Sequence, residues 1–497
     1  MPTHNYQAVN ETLLAIDAGT TGVTALLFDA DLAPLARAYR EFPQNFPRPG
    51  WVEHDAADIL RAVDETVAEA LGQISGVPRA LGITNQRETI FAVERATGKA
   101  LAPGIVWQDR RTSERCAVLK ADGHEAEVSE RTGLVLDPYF SATKIEWLLT
   151  HVPGLAERAA VGEVGFCTVD TLIIQHLTGG ADFATDHTNA ARTMLYNLDE
   201  RTWDPWLCDL FGVSAEWLPE VRSSAGSFGT ARMGGADVPI LGVAGDQQAA
   251  LFGQGCWEEG TFKNTYGTGC FLLLNTGERR VDSKGGLLTT MAVARDGSPC
   301  YALEGSVFAG GLVIQWLRDS LGLFDHASQS EELALSVEDT GGVFLVPAFA
   351  GLGAPYWDAD ARAALLGMTR GTGPGHIARA ALEGIAFQSA EIVELLRRET
   401  GLSISSLRVD GGAAANDFLM QCQADLAALE VQRGDNVEAT ARGAAALAGL
   451  GLGLWDDPAS AGAFGGEARL FKPSMASGER GERLANWRAA VARVRSS

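Results

Sequence analysis

The amino-acid sequence predicts an α/β protein with two related domains. At 497 residues the chain is longer than one ordinary hydrophobic core organises. The stretch LLAIDAGTTGVTALLFDA (13–30) has the pattern of a strand, a Gly/Thr turn and a second strand, and GTFKNTYGTGCFLLLNTG (260–277) repeats that order. We therefore predict one domain over residues 1–255 and a second over residues 256–497.

The first half continues with a predicted helix and then a strand that ends at GITNQRE (82–88). A further helix is predicted within DPYFSATKIEWLLTH (137–151), because Ile145, Leu148 and Leu149 have helical spacing. Its Trp147 is expected in the core. An apolar strand then runs through VPILGVAG (238–245), and a helix is predicted to begin at Asp246.

The second half carries a long amphipathic pattern, HIARAALEGIAFQSAEIVELLRRETG (376–401), which predicts a helix closed by Gly401. A strand is predicted at LRVDGG (407–412), and another helix from Asn416.

Composition narrows the class of protein. A hydrophobic fraction of 46% and a charged fraction of 21% are typical of a folded globular protein. No apolar run reaches the roughly eighteen residues of a membrane span, and the start shows no secretory signal. The seven cysteines form no CxxC pair, so we expect reduced thiols and a cytoplasmic protein without membrane insertion. The net charge of −23 argues against a nucleic-acid partner.

Four stretches combine an apolar strand with Gly and with Thr, Asp or Asn, namely IDAGTTG (16–22), GVAGDQQ (242–248), NTYGTGC (264–270) and RVDGGAAAN (408–416). Glycine lets successive N–H groups converge on an anion, and a carboxylate at a strand end can hold Mg²⁺ through water. One such turn is often purely structural, but four favour a nucleotide bound in a central cleft. The GxxxxGK[ST], GxGxxG, HExxH and GxSxG motifs are absent.

These stretches, with GITNQRET (82–89), IVWQDRRT (105–112), TNAARTMLYN (188–197) and GDQQAALFGQ (245–254), resemble the FGGY family of carbohydrate kinases over essentially the whole chain. The resemblance implies two ribonuclease-H-like domains of the actin-like ATPase fold, which close on ATP at a central cleft. Within the family the sequence looks most like the members that phosphorylate glycerol. It also implies a homo-oligomer, either a dimer or a tetramer.

The resemblance implies a role for each matching residue. Asp246 would be the general base, and Asp17 would hold Mg²⁺ through water, with Asp246 nearby. Glycerol would be bound by Arg87, Glu88, Tyr139, Asp246 and Gln247, with Trp107 and Phe271 covering its carbon face. ATP or ADP would contact Thr20, Thr21, Gly22, Thr24, Thr268, Gly311, Gln315, Gly412 and Asn416.

The sequence departs from the family pattern in the first turn, where Ala18 replaces Gln and Thr24 replaces an Arg that helps to hold phosphate. This puts the nucleotide affinity in doubt. Family members inhibited by fructose 1,6-bisphosphate share a glycine-arginine loop, but RMGGADVPI (232–240) is short and lacks the following Arg. Inhibition by fructose 1,6-bisphosphate is therefore not expected. No His lies between His187 and His326, so activation by histidine phosphorylation is not expected either.

Alternatives remain at this stage. Asp246 could be only a helix N-cap, Arg87–Glu88 a surface ion pair, Tyr139 and Trp107 core aromatics, and Asp17 a turn residue. The enzyme could phosphorylate another polyol or a ketose such as xylulose. A non-enzymatic filament former or a chaperone-type ATPase would use the same fold, but the chain leaves no residues for a peptide-binding domain.

Overall fold

The structure is a computed structural model that describes residues 11–434, 438–465 and 468–496. These residues form two compact units. The first unit runs to Trp257 and also contains Thr289–Tyr301 and Ala439–Gly465. The second contains Glu258–Leu288, Ala302–Glu438 and the chain from 468 onward. Two segments distant in sequence, 289–301 and 439–465, therefore complete the first unit.

The strands are β1 (Leu13–Ala18), β2 (Gly22–Phe28), β3 (Pro34–Glu41), β4 (Glu53–His54), β5 (Ala80–Asn85), β6 (Phe91–Glu94), β7 (Gly104–Ile105), β8 (Val164–Cys167), β9 (Ala184–Asp186), β10 (Tyr196–Asn197), β11 (Thr202–Trp203), β12 (Glu220–Arg222), β13 (Thr230–Met233), β14 (Ala236–Gly245), β15 (Phe262–Tyr266), β16 (Cys270–Gly277), β17 (Leu288–Val293), β18 (Pro299–Val307), β19 (Phe344–Val346), β20 (Ala364–Leu366), β21 (Ser406–Asp410), β22 (Glu430–Gly434) and β23 (Ala468–Phe471).

The helices are α1 (Ala56–Leu71), α2 (Ser113–Ala121), α3 (Glu125–Thr132), α4 (Ala142–His151), α5 (Leu155–Ala160), α6 (Val169–Leu177), α7 (His187–Ala190), α8 (Pro205–Phe211), α9 (Asp246–Gly253), α10 (Gly311–Asp319), α11 (Gln329–Leu335), α12 (Pro374–Thr400), α13 (Asp417–Ala427), α14 (Ala439–Leu452) and α15 (Ser477–Ala492). Within the described part of the chain, none of these helices has the length and apolar character of a bilayer span.

The first unit is built on a six-stranded sheet in the order β13-β14-β5-β1-β2-β3. Strand β1 pairs antiparallel with β2 and parallel with β5, and β14 is parallel to β5. Helices α1 and α6 cover one face of the sheet, and α9 and α14 cover the other. Because both faces are covered, β1 and β2 are apolar along almost their whole length.

Glycines explain how α14 joins the first unit. A Cβ on Gly443 would lie 1.9 Å from the Ala249 carbonyl oxygen of α9, and a Cβ on Gly82 of β5 would lie 2.1 Å from the Ala444 carbonyl oxygen. Only glycine permits backbones to approach so closely. The small residues of α14 therefore let it pack against both the sheet and α9.

The second unit repeats the arrangement of the first hairpin. Strand β15 pairs antiparallel with β16 and parallel with β21, as β1 does with β2 and β5. Strands β22 and β23 extend the sheet beyond β21. The long helix α12 packs into the core of this unit and ends at Gly401, which has a left-handed conformation with φ 67°, as predicted.

Helices α4 and α9 are also present where the sequence predicts them. Trp147 of α4 differs from the expectation because it is half-buried rather than in the core. Its ring stacks on His151 at a centroid distance of 4.4 Å, and the Arg111 guanidinium lies 4.6 Å from it. Stacking on polar groups suits a tryptophan at the edge of a core.

Candidate functional site

Three predicted site motifs lie at one edge of the first sheet. Asp17 is the next-to-last residue of β1, Arg87 and Glu88 follow the end of β5, and Asp246 comes directly after β14. These three strands are neighbours and parallel, so their carboxyl ends lie at the same edge. Residues more than 200 positions apart in sequence thus meet in the first unit.

Arg87 is the centre of a charged cluster at this edge. Its Nε lies 3.6 Å from Glu88 Oε1 and 3.4 Å from Asp246 Oδ1, and its Nη2 donates to the Tyr139 hydroxyl at 3.3 Å. The side chains of Arg87 and Glu88 are each 2% exposed, whereas that of Asp246 is 29% exposed. The pair is therefore not a surface ion pair, and Asp246 is more exposed than Glu88.

Asp246 is the first residue of α9, and Gly245 takes the N-cap position. The carboxylate accepts hydrogen bonds from the Gln247 backbone N–H at 2.7 Å and from Gln247 Nε2 at 3.1 Å. The helix N-terminus and Arg87 both stabilise its negative charge. The side chain of Asp246 therefore does more than cap the helix, because it joins α9 to the charged cluster.

Two aromatic side chains connect this cluster with the first Gly/Thr turn. The rings of Trp107 and Tyr139 contact edge to face with centroids 5.6 Å apart. Trp107 Nε1 donates to Thr20 Oγ1 at 2.9 Å. Tyr139 is buried and Trp107 is partly exposed, so the indole could still cover an apolar face of a ligand.

The first Gly/Thr turn is a tight connection between β1 and β2. Gly19 N–H donates to the Gly22 carbonyl at 3.0 Å, Thr20 is half-buried and Thr21 is exposed. A Cβ on Gly22 would lie 2.6 Å from the Arg40 carbonyl oxygen, so the neighbouring strand already requires glycine there. Thr24 lies in β2 opposite Asp17 and is almost fully buried.

The carboxylates at this edge of the sheet are of a kind that suits a magnesium ion bound through water. Among the described residues no group of three or more His, Cys, Asp or Glu could enclose a metal. Mg²⁺ bound with a nucleotide usually takes only one or two carboxylates, with phosphates and waters as its other ligands. Asp17 and Asp246 supply two carboxylates. The buried Thr84 hydroxyl, in register with Asp17, accepts no hydrogen bond from the described residues and could bind a water.

The second unit contains a cavity of about 470 Å³ that matches the predicted nucleotide contacts. Its lining includes Thr268, Gly311, Gln315, Gly412 and Asn416. This volume is in the usual range for a small-molecule pocket.

The glycines beside this cavity hold the backbone in place. Gly311 N–H donates to the Gly267 carbonyl at 2.8 Å, which joins the start of α10 to the second Gly/Thr turn. Gly411 has φ 87°, and a Cβ there would lie 2.6 Å from the Tyr266 carbonyl oxygen. Asn416 is the N-cap of α13 and accepts from the Leu419 N–H at 2.8 Å. Phe271 lies in β16 of the same unit and is half-buried.

Sequence reasoning missed the residues that support the charged cluster. Arg192 is fully buried, and its Nε donates to Glu88 Oε1 at 2.8 Å. Lys144 is also fully buried and donates to the Tyr139 carbonyl oxygen at 2.8 Å, and burial lowers the pKa of its amine to about 7. Arg192 stands within TNAARTMLYN (188–197) and Lys144 within DPYFSATKIEWLLTH (137–151), but neither stretch indicates which residue the cation contacts.

Models of one known protein family match both halves of the chain. Residues 12–253 match the model of the N-terminal domain of the FGGY family of carbohydrate kinases, and residues 262–452 match that of its C-terminal domain. The chain belongs to the FGGY family of carbohydrate kinases. The family and the two-domain α/β fold predicted from the sequence are thereby confirmed.

Several relatives have a more specific name. A glycerol kinase of Halorhodospira halophila is 52% identical over 488 residues, which cover 97% of this chain and 96% of the relative. A glycerol kinase of Aromatoleum aromaticum is 52% identical over 97% of this chain and 98% of its own length. The crystal structure of Plasmodium falciparum glycerol kinase with ADP has a TM-score of 0.89 at 36% identity and covers 97% of this chain and 98% of its own. Gluconate kinase from Lactobacillus acidophilus, at 23% identity and a TM-score of 0.86, shows the shared fold.

Proposed function

We propose that this enzyme transfers the γ-phosphate of ATP to glycerol, with Mg²⁺, giving sn-glycerol 3-phosphate and ADP. The main structural support for this proposal is the buried cluster of Arg87, Glu88 and Tyr139, which contacts the partly exposed carboxylate of Asp246. The relatives called glycerol kinase, at about half identity over nearly the full length, support the choice of substrate. A cytoplasmic location and a homo-oligomeric state remain predictions from the sequence.

In the proposed mechanism the first unit binds the polyol. A three-carbon triol offers only hydroxyl groups and a short carbon chain, so selectivity depends on satisfying donors and acceptors together. Arg87 donates to one hydroxyl, Glu88 accepts from another, and Gln247 can do either. Trp107 of the first unit covers the carbon face, whereas the role of Phe271, which belongs to the second unit, stays a prediction from the sequence. A ligand that lacks these hydroxyls would leave buried polar groups unpaired.

The nucleotide contacts proposed are the turn residues Thr20, Thr21, Gly22 and Thr24, and the cavity residues Thr268, Gly311, Gln315, Gly412 and Asn416. Asp17 and Asp246 would hold Mg²⁺ through water, and a bound Mg²⁺ would neutralise charge on the terminal phosphates. Asp246 accepts the proton of the attacking hydroxyl late, as transfer proceeds, because an alcohol is a weak acid in water. The polyol contacts must also hold the glycerol hydroxyl in line with the γ-phosphate that it attacks.

A coupled assay of ADP formation with glycerol, xylulose, gluconate and erythritol tests the substrate. Glycerol should give the largest kcat/KM, and a larger value for any of the other three would overturn the assignment. Asp246→Asn should lower kcat by at least about a thousandfold while ATP still binds. Asp209→Asn, a matched change at an exposed position of α8, should leave the rate unchanged. Asp246→Asn activity above a tenth of the wild-type rate would remove Asp246 as the base.

A further inference from the structure

A buried hydrogen-bond network lies behind the charged cluster of the first unit. Its centre is Asp186, the last residue of β9 and the N-cap of α7. Oδ1 of Asp186 accepts from the Asn189 backbone N–H and from Asn189 Nδ2, both at 2.9 Å. Oδ2 accepts from the Thr188 N–H at 3.0 Å, the Thr188 hydroxyl at 2.7 Å and the Ser224 hydroxyl at 2.7 Å. Such a fully bonded carboxylate makes a rigid centre in a low-dielectric interior.

One branch of the network reaches the backbone that carries the proposed base. The Gly245 N–H donates to Thr188 Oγ1 at 2.8 Å. Because the same hydroxyl donates its proton to Asp186, its direction as an acceptor is fixed. Gly245 ends β14, is the N-cap of α9 and immediately precedes Asp246. The Thr188 hydroxyl therefore holds the Ala244–Gly245 peptide unit, which lies one residue before Asp246.

A second branch reaches the strand that carries the polyol contacts. The side-chain amides of Asn189 and Asn85 exchange two hydrogen bonds, of 3.0 and 3.2 Å. Asn85 ends β5, stands opposite Gly245 in the parallel register and precedes Arg87 by two residues. A single buried centre thus holds the ends of both strands, from which the polyol contacts and the proposed base arise.

We propose that Thr188 is a positioning residue for phosphoryl transfer. Its hydroxyl keeps the Ala244–Gly245 peptide in place at the end of β14. The Asp246 carboxylate, one residue further on, thereby stays aligned with the hydroxyl bound by Arg87 and Glu88. The inference rests on the proposed role of Asp246. Thr188 itself is fully buried. Displacement of a reacting group by about 1 Å can lower a rate by about a hundredfold.

Loss of the Thr188 hydroxyl should affect the catalytic rate and leave substrate binding largely intact. Arg87, Glu88 and Tyr139 contact one another, and the branch of the network toward them runs through Asn189 and Asn85 rather than through the Thr188 hydroxyl. Loss of the Thr188 hydroxyl should therefore lower kcat while the KM values for glycerol and ATP change little. If the Thr188 hydroxyl only stabilised the fold, its loss would lower the amount of active enzyme. Removal of another buried hydroxyl nearby would then lower the activity by a similar amount.

The test compares three variants with the wild-type enzyme. Thr188→Val replaces the hydroxyl with a methyl group of similar size and should lower kcat by about tenfold or more, with both KM values within about twofold. Thr188→Ser retains the hydroxyl and should recover kcat to within about threefold of the wild-type value. The matched control is Thr185→Val, because Thr185 is a buried threonine of β9 that donates to Asp170 at 2.6 Å, outside the branch to Gly245. It should keep kcat within about twofold.

The inference is overturned if Thr185→Val lowers kcat as much as Thr188→Val, if Thr188→Ser does not recover the rate, or if Thr188→Val changes KM alone. Should Thr188→Val fail to fold, Thr188→Ala takes its place, because it removes the hydroxyl without adding bulk. Asp246→Asn is assayed alongside. An active Asp246→Asn enzyme contradicts the proposed base, whereas an inactive one with an unaffected Thr188→Val enzyme contradicts only the positioning role.

Discussion

The ion pair between Arg192 and Glu88 gives a prediction whose size can be worked from the structure. Arg192 Nε lies 2.8 Å from Glu88 Oε1, and the two side chains are 0% and 2% exposed. Removing one partner of a buried, hydrogen-bonded pair typically costs about 3–5 kcal/mol, because the remaining charge stays in a poorly solvated place. Arg87 lies 3.6 Å from the same oxygen and compensates for only part of the loss.

The change is Arg192→Met, which keeps an unbranched side chain against the rings of Tyr139 and Phe140, 5.7 and 5.4 Å from the guanidinium carbon. We expect the free energy of unfolding, measured by urea titration with tryptophan fluorescence, to fall by about 3 kcal/mol. The double variant Arg192→Met/Glu88→Gln removes both charges and should recover about 2 kcal/mol or more of that loss.

Kinetics of the same variants report the role of Glu88. Because Arg192 holds the Glu88 carboxylate that is proposed to accept from glycerol, either variant should weaken glycerol binding. The coupled assay should show KM for glycerol raised by about tenfold or more in both the single and the double variant, corresponding to about 1.4 kcal/mol, with KM for ATP nearly unchanged. The reasoning fails if Arg192→Met unfolds within about 1 kcal/mol of the wild type, or if the double variant is no more stable than the single one.

Two further predictions concern stability. Gly443→Ala would place a Cβ 1.9 Å from the Ala249 carbonyl oxygen and should destabilise the protein by about 1–3 kcal/mol or more. The control is Gly481→Ala in α15, where a Cβ meets nothing within 4 Å, and it should be neutral or stabilising by up to about 1 kcal/mol. Equal urea midpoints for the two variants would contradict the close packing of α9 and α14. Burial lowers the pKa of His54 to about 4, so the stability contributed by its neutral form is present above pH 6.5 and is lost as the pH falls toward 4. Between pH 7 and pH 5 the wild type should lose about 2 kcal/mol that His54→Gln does not lose, and parallel pH profiles of the unfolding free energy would refute this.

The sequence alone predicted several elements of each half and the residues proposed for the site. Local patterns predicted the Gly401 end of α12, the start of α9 at Asp246 and the two related hairpins, because helix periodicity and glycine turns act over a few residues. The Gly/Thr turns and the GITNQRET and GDQQ stretches also indicated the family and a set of proposed site residues.

Tertiary structure decided which charges meet and what holds them. Nothing in the local pattern indicates that Arg192 is the partner of Glu88, that Thr188 bonds to Gly245, or that Lys144 supports Tyr139, since each pair is separated in sequence or lies on different elements. Nor does it show that α14, near the end of the chain, completes the first unit through Gly443 and Gly82. Residue type and periodicity record what a segment prefers by itself, whereas buried ion pairs and close backbone contacts depend on which segments the folded chain brings together.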